Sequence, residues 1–297
     1  MLKYESVSEL VKAAEDRGTK ISGIVLDDQA EAMECSTLEL YEKMEIDLHV
    51  MWESAKTGAE EGQRSMSGLT GGEGFLMHEY VREKNGGLCG PFLGKAMAKA
   101  LSVAGCNASM GRIVAAPTAG SCGVLPGCVL TLLEEGVVEE KDAVMAMFTA
   151  GAVGMVIANR ASIAGAQGGC QAECGSAAAM AAAALVEMMG GTPAQCADAC
   201  AIAISSQMGL VCDPVAGLVE IPCIKRNVSS LMIAFSSADL ALAGIGARIP
   251  ADECLDAMRE VGDALPASLK ETAGGGLAAT PTGRKLQAQV FGTAQNS

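Results

Sequence analysis

Apolar and polar residues recur along this chain with a period near 3.6 far more often than with a period of two, a pattern that predicts helices and few strands. In MLKYESVSELVKAAEDRG (1–18) the apolar positions fall on one side of a helix that Ser6 or Ser8 caps and Gly18 ends. The next stretch, ISGIVLDDQ, is rich in β-branched residues and reads as a short extended or turn segment. Residues 28–60 read as helix with a break and a new cap at Ser36–Thr37, and GQRSMSGLTGGEG (62–74) as a polar, glycine-rich loop. Residues 91–106 are predicted helical. RIVAAPTAGSCGVLPG (112–127) is predicted to run extended, turn at Pro117–Gly120 and enter another helix. From 141 onward, helices of small residues alternate with glycine breaks, and Thr192–Pro193 marks the start of a helix over 193–208. Two X-Pro steps in 210–227 predict a structured loop or broken helix, followed by helices over 228–246 and 251–262 and a short one near the end. No repeat or low-complexity linker divides the sequence. It reads as one all-α domain over 1–297, a compact bundle with 1–61 as a flanking helical lobe.

Composition sharpens this picture. Hydrophobic residues make up 50 % of the 297 positions but aromatic ones only 3 %, with 36 glycines and 17 methionines, so the core must be built from small side chains. The most apolar stretch, 143–158, is shorter than the roughly 20 residues that cross a bilayer, which favours a buried helix. A net charge of -14 repels phosphate backbones and anionic membrane surfaces, leaving a small molecule or a protein as the expected partner. The sequence does not open with a basic segment, an apolar run and a small-residue cleavage site, and a cytoplasmic location is expected. There the twelve cysteines stay reduced, which excludes a disulfide framework and leaves metal ligation, redox chemistry or burial.

Two cysteine pairs, Cys170/Cys174 and Cys196/Cys200, have the spacing that places both members on one helix face. Cys196 and Cys200 read as core, since buried thiols behave as small hydrophobes. Cys170, Cys212 and Cys223 differ in context: each lies beside glycine or proline, in GGCQ, VCDPVAG and IPCIKRN. Loop thiols of this kind can face a common point, but on residue patterns alone ligation and packing stand level. Asn159, Ser162 and Gln167 interrupt an apolar run, either as satisfied buried polar groups or as partners of a ligand. Lys225–Arg226 is either a counter-charge for an anionic site or an exposed helix start. The two histidines, His49 and His78, lie far in sequence from these cysteines and read as ordinary surface or core residues.

The segments SGLTGGEG (67–74), AAPTAGSCGVLPG (115–127), ANRASIAGAQGGCQAECGSAAAMAAAALVEMMGGTP (158–193), GLVCDPVAGLVEIPCIKRN (209–227) and GLAATPTGR (276–284) together resemble the alpha chain of iron–sulfur-dependent L-serine dehydratase, an L-serine ammonia-lyase. The resemblance covers essentially the whole chain. It implies that Cys170, Cys212 and Cys223 hold a [4Fe-4S] cluster, and that Cys174 packs. Three protein ligands leave one iron open to act as a Lewis acid on the hydroxyl of L-serine, whose products are pyruvate and ammonia. A substrate carboxylate needs fixed donors, for which the glycine-rich segments offer backbone N–H groups with Ser65, Ser67, Thr70, Thr118 and Ser121, and Asn159 adds an amide; turn and cap roles are the competing reading. The family's beta part carries an SSSHT motif that this sequence lacks, so a separate beta chain is the expected partner and the source of the unidentified base. Two other readings compete: a related iron–sulfur lyase acting on L-cysteine, and a pyridoxal-phosphate dehydratase with Lys95 as its Schiff-base lysine.

Overall fold

Helices surfaced with alanine and glycine exclude water only if their backbones come close, and this chain folds accordingly. The computed structural model describes residues 4–292, with thirteen α-helices and no strand among them. α1 (Val7–Arg17) starts at Ser6, whose hydroxyl accepts from Glu9 N–H at 3.1 Å, and ends at Gly18 with φ 63°. α2 (Ile21–Ala32) and α3 (Thr37–Gly58) follow, the latter capped by Ser36 as predicted. Next come α4 (Glu73–Glu83), α5 (Gly90–Ala108), α6 (Val124–Glu134), α7 (Glu140–Arg160) and the short α8 (Gly165–Gly168). A π-helical turn, Gln171–Gly175, leads into α9 (Ser176–Met188), followed by α10 (Pro193–Gln207), α11 (Cys223–Leu242), α12 (Ala251–Ala264) and α13 (Pro281–Phe291).

Every residue of α9 is buried, and α7, α10 and α11 pack around it. The closeness of such packing is clearest between α3 and α5: a Cβ at Gly58 would stand 1.7 Å from the Ser102 carbonyl oxygen, so only glycine fits. Leu10, Ile24 and Leu48, from the segment read as a flanking lobe, lie in the same hydrophobic core as Ala178 and Leu185 of α9. α7 is the one described helix long and apolar enough to cross a membrane, with a mean hydropathy of 1.5, and 67 % of that stretch is buried inside the protein.

The structure corrects two boundaries. ISGIVLDDQ is not extended but forms most of α2. Its β-branched residues, Ile21, Ile24 and Val25, recur at helical spacing and are all buried. The helix start is held from outside, because the Glu187 carboxylate on α9 accepts Ser22 N–H at 3.2 Å and the Thr149 hydroxyl at 2.6 Å. α11 begins at Cys223, earlier than the predicted 228, directly after Pro222. The predicted start at Thr192–Pro193 is present with a full capping box, Thr192 and Gln195 bonding each other's backbone N–H.

Candidate functional site

The π-helical turn at the N-terminal end of α9 is the local irregularity around which the cysteines gather. Such turns are rare and are frequent at functional sites. Cys170 precedes the turn and Cys174 lies within it; with Cys212 they form a small buried group separate from the main core. Gln171 pins the turn from below: its amide donates to the Met258 carbonyl at 2.8 Å and accepts Gly209 N–H at 2.8 Å, while its backbone N–H reaches Leu210. Cys212 is held on both sides, donating its N–H to Leu269 and accepting from Glu271 N–H. Cys223 is the first residue of α11. Its carbonyl, with that of Gly120, accepts from the fully buried Asn227 amide, whose oxygen takes Gly123 N–H at 2.8 Å. Asn227 thereby fixes the 118–123 loop against the Cys223 segment.

The charges around these thiols are few. Arg226 donates to the Val211 carbonyl and pairs with Asp213, both at 2.8 Å, and also hydrogen-bonds Cys170. The neighbouring Lys225 is exposed, so of the two adjacent cations only Arg226 belongs to the site. A hydrogen bond from the Cys174 thiol, outweighing burial and aided by Arg226, lowers the Cys170 pKa, while Cys174 is pushed far up by the same pairing. Burial, then the charge of Glu173, raises Cys212; burial, then Cys170, lifts Cys223 to about 12. The protein's own groups thus favour the thiolate form at Cys170 and the thiol form at Cys212 and Cys223. Among the described residues no three His, Cys, Asp or Glu side chains are arranged as ligands of a single metal ion.

Glu173 faces Cys212 from the π turn. One carboxylate oxygen accepts the Thr118 hydroxyl at 3.1 Å and the other accepts from the Cys212 thiol at 3.9 Å. Two glycines box this carboxylate: a Cβ on Gly165 would lie 2.7 Å from it and 2.8 Å from the Cys212 sulfur, and one on Gly120 would lie 3.4 Å away. Burial and then the Glu271 charge raise the Glu173 pKa, against the Thr118 and Cys212 donors.

The hydroxyls singled out in the sequence separate into two groups. Thr118 and the fully buried Ser121 stand 3.2 Å apart beside Glu173. Ser67 and Thr70 both donate to the buried Glu220 carboxylate at 2.8 Å, and Ser65 accepts Thr70 N–H, so the glycine-rich loop is tied to the turn that precedes Cys223. Asn159 is exposed at the end of α7, with no hydrogen bond to the cysteines among the described residues. Ser162 and Gln167 bond each other in a partly exposed turn, so these three are not buried polar groups as one reading had them. Cys174 is buried but packs on Cys170 and Cys212 rather than in the alanine core, whereas Cys196 and Cys200 are in that core. His49 is exposed opposite Glu140, and His78 lies near Lys99 and Glu134, so neither joins the site. Lys95 pairs with Glu135 on the surface.

Three groups of the candidate site are not signalled as such by the sequence reading: Glu173, Asp213 and Glu220. Glu173 left one signal, as the sole charged residue in the run 161–186. Asp213 and Glu220 left none, since their partners are distant in sequence.

Comparison with known proteins gives a concordant result. The family model "Serine dehydratase alpha chain" matches residues 16–278. The chain is 47 % identical over 294 residues to the "Probable L-serine dehydratase, alpha chain" of Bacillus subtilis, covering 99 % of this chain and 97 % of the relative. It is 43 % identical over 279 residues to the "L-serine dehydratase, alpha chain" of Peptoniphilus asaccharolyticus, covering 94 % and 95 %. A 34 % identical match to the "L-serine dehydratase TdcG" of Escherichia coli covers 93 % of this chain but only 61 % of that longer protein.

Proposed function

The chain belongs to the serine dehydratase alpha chain family, and from this we propose that it is the cluster-bearing chain of an L-serine ammonia-lyase, converting L-serine to pyruvate and ammonia. The observation that carries the reading is the packing of Cys170 and Cys212 together beside the π turn at the start of α9, with Cys223, the first residue of α11, near enough for their charges to act on it. Three buried thiols with one adjacent guanidinium suit a [4Fe-4S] cluster better than a single ion, because in a cubane each thiolate serves a different corner. When bound, such a cluster supplies an iron open to the serine hydroxyl, a poor leaving group otherwise.

The chain's own residues do the remaining work. Arg226 offsets the negative charge of the thiolates and, through Val211 and Asp213, fixes the loop on either side of Cys212. Asn227 holds the Thr118–Ser121 segment against Cys223, so hydroxyls and backbone N–H groups of that loop are positioned for the substrate carboxylate. Ser65, Ser67 and Thr70 act less directly, since the last two are committed to Glu220 and shape the loop. Loss of the Cα proton and the β-hydroxyl leaves an enamine, which tautomerises and takes up water to release ammonia and pyruvate. Neither histidine faces the thiols, and the longer Escherichia coli relative extends well beyond the matched region; both support a separate beta chain that completes the site. The twelve free cysteines suit the reducing cytoplasm.

The test is pyruvate formation from L-serine by anaerobically prepared chain, alone and mixed with a beta chain of the same enzyme family. Activity in the mixture that disappears on exposure to air supports the reading. An air-stable activity, or turnover of L-cysteine but not L-serine, overturns it.

A further inference from the structure

A cavity of about 310 Å³ lies between α8, the π turn, α12 and the loop that follows α12. Gly165 of α8 faces Glu173, whereas Ala166, Gln167 and Gly168 of the same helix face this cavity. Its floor is buried and formed by Gln171, Ala172 and Met258, and its rim carries Arg259, Asp263 and the partly buried Lys270. None of the three rim charges makes an ion pair among the described residues, although acidic residues outnumber cationic ones by 35 to 21 in the chain. Arg259 gives one N–H to the Arg160 carbonyl at 3.3 Å, and Asp256, the acid its charge reaches, is held by Arg160. Ser162 occupies the side-chain carbonyl of Gln167 at 2.7 Å, which leaves the Gln167 amide nitrogen as a further donor.

Two cations and one carboxylate around one opening are the charge complement of a molecule with two carboxylates and one ammonium group. We propose that this cavity binds a free acidic amino acid, its carboxylates on Arg259 and Lys270 and its ammonium on Asp263. A plain dicarboxylate sets Asp263 against like charge, and a neutral amino acid leaves one cation unmatched, so both are disfavoured. A volume at the lower end of ligand pockets suits a molecule of about ten heavy atoms. Floor and rim also reach the thiol-bearing segments. Gln171 follows Cys170 and accepts Gly209 N–H at 2.8 Å. Leu269 and Glu271, on either side of Lys270, bond the N–H and the carbonyl of Cys212 at 2.9 and 2.8 Å. A ligand held by Lys270 over Gln171 therefore steadies both segments.

The experiment is isothermal titration calorimetry of the full chain with L-aspartate and L-glutamate. Each is compared with its side-chain amide and with the dicarboxylate that lacks the amino group, succinate or glutarate. The result expected is a dissociation constant of about 1 mM or below for at least one of the two acids, with its amide and its dicarboxylate each at least about 5-fold weaker. Arg259→Gln and Lys270→Gln each weaken that binding at least about 3-fold, as loss of one partly exposed ion contact does, and keep the wild-type circular-dichroism spectrum. With ligand bound, amide hydrogen exchange slows over 209–212 and 269–271. No heat of binding for either acid at about 10 mM, equal binding of the amide or the dicarboxylate, or variants that bind as tightly as the wild type, overturns the proposal. Unchanged exchange overturns its link to the thiol-bearing segments. Neither readout requires iron or serine turnover, so failure here leaves the proposed function standing.

Discussion

The Arg226 guanidinium spans Cys212, donating to the Val211 carbonyl at 2.8 Å and pairing with the Asp213 carboxylate at 2.8 Å, the residues immediately before and after the cysteine. Asp213 in turn accepts Leu277 N–H at 2.7 Å, so one relay joins the start of α11, the Cys212 loop and the segment that leads into α13. Because Arg226 lies one helical turn beyond Cys223, a single side chain holds two of the three thiol-bearing segments in register.

Arg226→Gln therefore strands a carboxylate whose side chain is only 4 % exposed. Breaking a buried pair from one side costs about 3 kcal/mol, and that loss is expected in urea denaturation of the apo chain. Arg226→Lys keeps the charge but not the fork, and falls between the two.

Asn227 satisfies three buried backbone groups at once: the carbonyls of Gly120 and Cys223 and the N–H of Gly123. Asn227→Ala leaves all three without a partner and is expected to destabilise the fold by about 3 kcal/mol or more. Asn227→Asp does not rescue it, because a carboxylate can accept from Gly123 but cannot donate to either carbonyl. Denaturation midpoints of the two variants check this.

At Gly165 the expected loss is local. An added methyl meets the Glu173 carboxylate at 2.7 Å and the Cys212 sulfur at 2.8 Å, and overpacking of this kind costs about 1–3 kcal/mol. Gly165→Ala should keep the helical circular-dichroism spectrum of the wild type while retaining clearly less iron after anaerobic reconstitution and gel filtration.

The helices were legible wherever their signals are local. Ser6, Ser36 and Thr192 cap as their sequence context predicts, because a cap needs only residues three positions apart. α2 was misread for the opposite reason: its start is satisfied by Glu187, 165 residues away, and its β-branched residues form a helical stripe rather than a strand. The same distinction runs through the site. Glycine and proline beside Cys170, Cys212 and Cys223 single them out, but family resemblance is needed to choose them over Cys174, and even so Cys174 packs with Cys170 and Cys212. Lys225 and Arg226 are adjacent and equally charged, and only the fold sends one to solvent and the other to Asp213. Glu173 depends on a π turn that no periodicity announces.

The proposed function depends on Cys170, Cys212 and Cys223 holding an iron–sulfur cluster. Iron and acid-labile sulfide per chain, measured in anaerobically purified wild type, Cys212→Ser and Cys196→Ser, test it most directly. About four of each are expected in the wild type and in the core variant Cys196→Ser, with a clear loss of both in Cys212→Ser. Wild-type protein without iron, or a Cys212→Ser variant that carries as much as the wild type, contradicts it.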